Sequence, residues 1–88
     1  MILTLKDFQS VGGKILHENN ENKYWRGGES GQYDAFVNTG KAELNGKQYD
    51  VEIRHHINGS ITIYGRGKDE YKFESDIEQI QLQQYYLK

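Results

Sequence analysis

The chain contains no cysteine and no proline. Without cysteine there is no disulfide framework and no thiolate metal site. That points away from small secreted scaffolds and toward a cytosolic protein or one acting inside a host cell. Without proline there is no kinked helix and no proline-guarded sheet edge. No apolar run approaches the ~18–20 residues that cross a bilayer, so no membrane partner is expected. The opening Ile2-Leu3-Thr4-Leu5-Lys6 meets a charge at once, which predicts no signal peptide. An excess of charge is missing as well: 11 basic and 13 acidic residues leave a formal net charge of −2. Neither sign dominates a half of the chain, so no polyelectrolyte partner is written into the balance.

Eighty-eight residues predict a single domain over 1–88. A chain of this size buries only ~60–65% of the surface its unfolded form exposes, which makes for a thin core. Tyrosine is plentiful: seven Tyr stand beside three Phe and one Trp. Its large ring and polar tip suit protein interfaces. A small sheet also uses Tyr simply for its strand propensity, so the total lends only modest weight to a binding role.

The sharpest local signals are Asn45-Gly46 and Asn58-Gly59, each between runs that alternate apolar and polar residues. Asn and Gly tolerate the positive φ of a tight hairpin, so both steps predict turns between neighbouring antiparallel strands. Tyr49, Val51, Ile53, His55 and Ile57 share one face. Gln48, Asp50, Glu52, Arg54 and His56 share the other, wet one. A two-residue type I′ loop at Asn45-Gly46 pairs Leu44 with Lys47 and Ala42 with Tyr49, keeping one apolar face. The same loop at Asn58-Gly59 would put Ile61 and Ile63 on the charged face, which the period-2 rule penalises. A three-residue loop with Gly59 in the left-handed region restores Ile63 opposite Ile53 and Ile61 opposite His55. The two turns are therefore expected to differ.

Elsewhere the pattern predicts a short helix over 4–12, with Thr4 capping and Asp7 three residues on. Its stripe of Leu5, Phe8 and Val11 is expected to pack on the face carrying Val51, Ile53 and Ile63. Residues 18–32 are polar, glycine-bearing and non-periodic, and read as a long loop. A β-meander is expected over 33–88, with Tyr71–Glu74 a short strand. The last stretch, 75–88, is read as a turn followed by a strand, with a terminal helix as the alternative because Ser75-x-x-Glu78 offers a capping box. The predicted fold is α+β: a short N-terminal helix on a twisted antiparallel meander of four or five strands, curling toward a small, partly closed barrel.

No motif for chemistry emerges. His55 and His56 are neighbours on a strand and point to opposite faces, so they cannot chelate one metal, and His55 reads as a satisfied core or rim histidine. No serine sits in a nucleophile elbow, and the glycines near 27–31 lack the strand-to-helix junction of a phosphate cradle. No catalytic residue, metal or cofactor is predicted. Tyr24-Trp25-Arg26 combines the three residue types most enriched in binding hot spots, and Trp25 suits a core role about as well. With Tyr33, Tyr64 and Arg66 these three make up the candidate partner-binding set. The expected function is a non-catalytic protein-binding module, of the kind that serves as a small inhibitor or immunity protein, phage anti-defence (anti-CRISPR-like) proteins among them. The alternative is single-stranded nucleic-acid binding, with Tyr24, Trp25 or Tyr64 stacking bases and Arg66 and Lys68 touching phosphates. An unguarded sheet edge also leaves a homodimer open.

Overall fold

The computed structural model describes residues 3–26 and 33–86, and the side chains of all of these except Arg26 and Tyr86. In chain order the elements are α1 (Leu5–Ser10), β1 (Lys14–Arg26), β2 (Tyr33–Leu44), β3 (Lys47–His56), β4 (Ile61–Gly65), a 3-10 turn (Gly67–Asp69) and α2 (Glu70–Tyr86). The strands form one antiparallel meander in the order β1-β2-β3-β4, open rather than closed into a barrel.

Thr4 caps α1 as expected, its hydroxyl accepting the Asp7 N–H at 3.1 Å. Both hairpins follow the register that the apolar alternation demands. Asn45 and Gly46 take φ of 52° and 78°, and Leu44 pairs with Lys47. At the second turn Gly59 takes φ 92°, its N–H donates to His56, and the Ser60 carbonyl accepts the His56 N–H. Ile63 then lies opposite Ile53, and Ile61 opposite His55.

One face of β2–β4 is covered by the two helices. The core is Leu3, Phe8, Ala42, Leu44, Tyr49, Val51, Ile53, Ile63, Phe73 and Ile77, with Leu5, Val11, Ile15, Ile61 and Ile80 packed against it. Phe8 and Phe73 meet edge to face at 5.5 Å, joining α1 to α2 over the sheet. Burying side chains of this size stabilises the fold by ~1.5–3 kcal/mol each. At the entry to α2 the buried Asp69 carboxylate accepts the Asp50 N–H at 2.8 Å, tying the 3-10 turn to β3.

Two expectations are corrected. Residues 18–26 are not loop but the outer half of β1, while 27–32 lie outside the described residues. β1 is an edge strand that needs little apolar surface, and three irregularities against β2 break its alternation: one around Leu16, one where Asn20–Asn22 face Asn38, and one between Trp25 and Arg26. Residues 70–86 are helix, not strand and turn. Phe73, Ile77 and Ile80 supply the packed stripe of α2, and the Glu, Gln, Lys and Leu residues between and beyond them have good helix propensity. The sheet therefore ends at four strands. No described helix is long and apolar enough to cross a membrane.

Candidate binding face on the open side of the sheet

Alternation along β3 sends Asp50, Glu52, Arg54 and His56 away from the helices. The register adds Ala35, Val37, Thr39, Lys41 and Glu43 from β2, Thr62 and Tyr64 from β4, and Trp25 from β1. Neither helix covers this side, which makes it the open face. At its centre lies Arg54. The guanidinium carbon is 4.5 Å from the Trp25 ring centre and 4.3 Å from that of Tyr64, the two rings coming from opposite sides of β3. The Arg54 Nε donates to Glu52 Oε1 at 2.6 Å, so the side chain is held at one edge by a carboxylate and flanked by aromatic rings. Such stacking is worth ~0.5–1 kcal/mol at exposed sites and more when water is excluded. Ala35, Thr39 and Thr62 are buried beneath this layer.

Of the other charges on the open face, Lys23 lies 3.9 Å from Glu21 on its own strand, and the rest are paired across strands. Lys14 meets Glu43 at 3.3 Å, Lys41 meets Asp50 at 2.8 Å, and His56 lies 3.8 Å from Asp34 while its Nε2 sits 2.9 Å from the Thr62 hydroxyl. The hydrogen bond from Lys41 holds the Asp50 carboxyl below its ordinary range, and the same contact raises Lys41.

The sequence-predicted residues divide between the two faces. Trp25 and Tyr64 come together around Arg54, so Trp25 is a half-buried residue of the open face and not a core aromatic. Tyr24 and Tyr33 lie on the reverse side, with ring centres 5.2 Å apart and Phe36 5.0 Å from Tyr24. Arg66 is exposed just past β4, where its backbone N–H donates to Asp50. The side chain of Arg26 lies outside the described residues. Arg54 was absent from the candidate set. Its place on the wet face was legible, but its two aromatic neighbours become visible only once 14–26 is recognised as a strand.

On the reverse side a shallow cleft is lined by Glu18, Asn20, Asn22, Phe36, Asn38 and His55. Buried Asn38 organises it: its Oδ1 accepts the Asn22 N–H at 2.8 Å and its Nδ2 donates to Glu18 at 2.6 Å. His55 Nε2 approaches the same Glu18 oxygen at 2.5 Å, the satisfied rim position expected of it. Burial pushes the Glu18 carboxyl up, but hydrogen bonds from Asn38 and His55 outweigh it and leave it below the ordinary value. A smaller recess between the β2–β3 turn and α2 holds Tyr49, whose hydroxyl donates to Asp76 at 2.5 Å. Among the described residues no group of three or more His, Asp or Glu is placed to hold a metal ion.

No family model, curated protein or solved structure matches this chain.

Both clefts are organised by hydrogen bonds that satisfy their own members. The open face differs, because it presents two aromatic rings around Arg54 that no element of the described fold covers.

Proposed function

We propose that this chain is a non-catalytic protein-binding module that engages its partner through the open face of the sheet. One observation carries the reading: Trp25, Arg54 and Tyr64 stand in contact on that uncovered face. Trp, Tyr and Arg are the side chains that most often dominate binding energy at protein interfaces. Here they rise from paired strands, so little ordering entropy is lost on docking. The paired cations around them favour a protein over a nucleic acid, since a phosphate backbone needs several unengaged cations along its path. A small module that covers a partner's surface in this way suits an inhibitor or immunity-type role, and the lack of cysteine suits a reducing cell interior.

The test begins with affinity capture from cells that carry the gene and continues with calorimetry on the purified partner. Trp25→Ala and Arg54→Ala are expected to weaken binding at least tenfold, about 1.4 kcal/mol. Tyr71→Ala, on the outer side of α2 with Tyr71 80% exposed, is expected to bind like the wild type. Equal affinity for all four proteins would sink the reading. A steep loss of affinity with added salt would move it to nucleic acid.

A further inference from the structure

We infer that the open face receives a carboxylate from its protein partner on the outward edge of the Arg54 guanidinium, between Trp25 and Tyr64. This rests on the open face being the binding surface. A guanidinium carries five N–H donors in a rigid plane and accepts a carboxylate along either of two edges. Glu52 engages only the Nε, and neither Nη has a protein partner among the described residues. Nor is either sealed from water, since no buried side-chain nitrogen or oxygen lacks a hydrogen-bond partner among the described residues. The donors of both Nη are therefore available on a side chain already fixed in place.

The other cations of the face are unlike it. The Lys14, Lys23 and Lys41 side chains are 67%, 75% and 51% exposed against 20% for Arg54, and each already faces its own carboxylate. Exposed pairs of that kind contribute little. Arg54 is half-buried, stacked and half-used, so a bidentate bond to it forms in a drier setting with little loss of side-chain freedom. Glu52 does not oppose the second carboxylate from the same edge, because it sits at the Nε. A run of phosphates would have to pass Asp34, Glu43, Asp50 and Glu52, whereas a single Asp or Glu among apolar residues meets only the Arg54 edge and the two rings.

The experiment uses the whole isotope-labelled chain and follows two NMR signals, the indole N–H of Trp25 (the one tryptophan, so assigned without ambiguity) and the Nε–H of Arg54. The probes are the blocked tripeptide Leu-Glu-Leu, its Leu-Gln-Leu counterpart, a phosphoserine tripeptide and a short oligothymidylate, each titrated to millimolar concentration. Leu-Glu-Leu is expected to move both signals saturably, with Leu-Gln-Leu at least about tenfold weaker. Arg54→Lys keeps the charge but loses the fork, and is expected to abolish the preference for Glu over Gln while the backbone amide spectrum stays native. If the Glu and Gln peptides bind equally at Trp25, the carboxylate inference fails and the binding face survives. Tighter binding by oligothymidylate than by Leu-Glu-Leu overturns the inference in favour of nucleic acid. If no probe moves either signal, the inference is overturned, and the capture experiment with Trp25→Ala then decides the binding face separately.

Discussion

Asn38 and Arg54 are both polar residues on central positions of the sheet, and the state of their partners separates their roles. Asn38 is 3% exposed, with its oxygen and its nitrogen both bonded, to the Asn22 N–H and to Glu18. It fixes the path of β1 where Asn22 takes the unusual φ of 51°. Arg54 donates its Nε to Glu52, and neither Nη has a partner among the described residues. Asn38→Asp would set a second carboxyl against Glu18 in place of an amide donor, and is expected to cost ~1–3 kcal/mol at neutral pH. Acidification protonates one of the two, so the gap from wild type should narrow toward pH 4. Urea denaturation at pH 7 and pH 4 measures both; a gap of equal size at the two values would exclude carboxyl repulsion as the cause. Gly40, two positions along β2, is constrained by space alone, since a Cβ there would come within 2.2 Å of the His17 carbonyl oxygen. Neither constraint was readable beforehand, because both depend on β1 lying alongside β2.

At the scale of elements, legibility followed the strength of the hydrophobic period. β3 and its two turns were readable because alternation and left-handed turn residues agree, and one register alone keeps Ile61 and Ile63 inside. β1 was hidden because an edge strand with irregular pairing presents polar residues without period. α2 was hidden because Ile80 and Leu82 alternate with glutamines, which imitates a strand, while the packed stripe begins earlier at Phe73. The helix makes this distinction measurable. Ile77 is fully buried and Leu82 is 55% exposed. Ile77→Ala is expected to cost ~2–5 kcal/mol by chemical denaturation, and Leu82→Ala to stay within ~0.5 kcal/mol. Comparable losses would mean that the outer side of α2 is covered in solution. The free edge of β1 invites pairing with a second copy, yet the irregularities at Leu16 and Asn20–Asn22 interrupt its ladder. Across the sheet, β4 is short, and Leu3 and Thr4 bond to it through the Ile63 N–H and a bridge to Thr62. Sedimentation at micromolar concentration is expected to show a monomer, and a concentration-dependent dimer would show that β1 pairs despite its irregular ladder.

Across the whole molecule the titrating groups stabilise the fold within limits set from two sides. Glu18 and Asp50 are both depressed below their ordinary values of 4.5 and 3.8, the first by the Asn38 and His55 bonds that outweigh burial, the second by Lys41. A depressed acid contributes stability that is complete above its unfolded pKa and is lost as pH falls through its folded one. Stability should therefore hold above about pH 5 and decline progressively below pH 4.5. Tyr49 acts in the opposite sense. Burial, and then its bond to Asp76, push its hydroxyl up to about 12. A raised group contributes fully below its unfolded pKa, near 10, and that contribution is lost as pH rises toward 12. Both limits pin β-strands to other parts of the fold: Glu18 links β1 to β2 and β3, and Tyr49 links β3 to α2. Urea midpoints from pH 3 to pH 11 should trace a plateau with a shoulder at each end. Glu18→Gln is expected to flatten the acid shoulder, and Tyr49→Phe the alkaline one, each leaving the other in place. An acid shoulder that survives Glu18→Gln unchanged would shift that role to Asp50 and its Lys41 pair, which Asp50→Asn then tests directly.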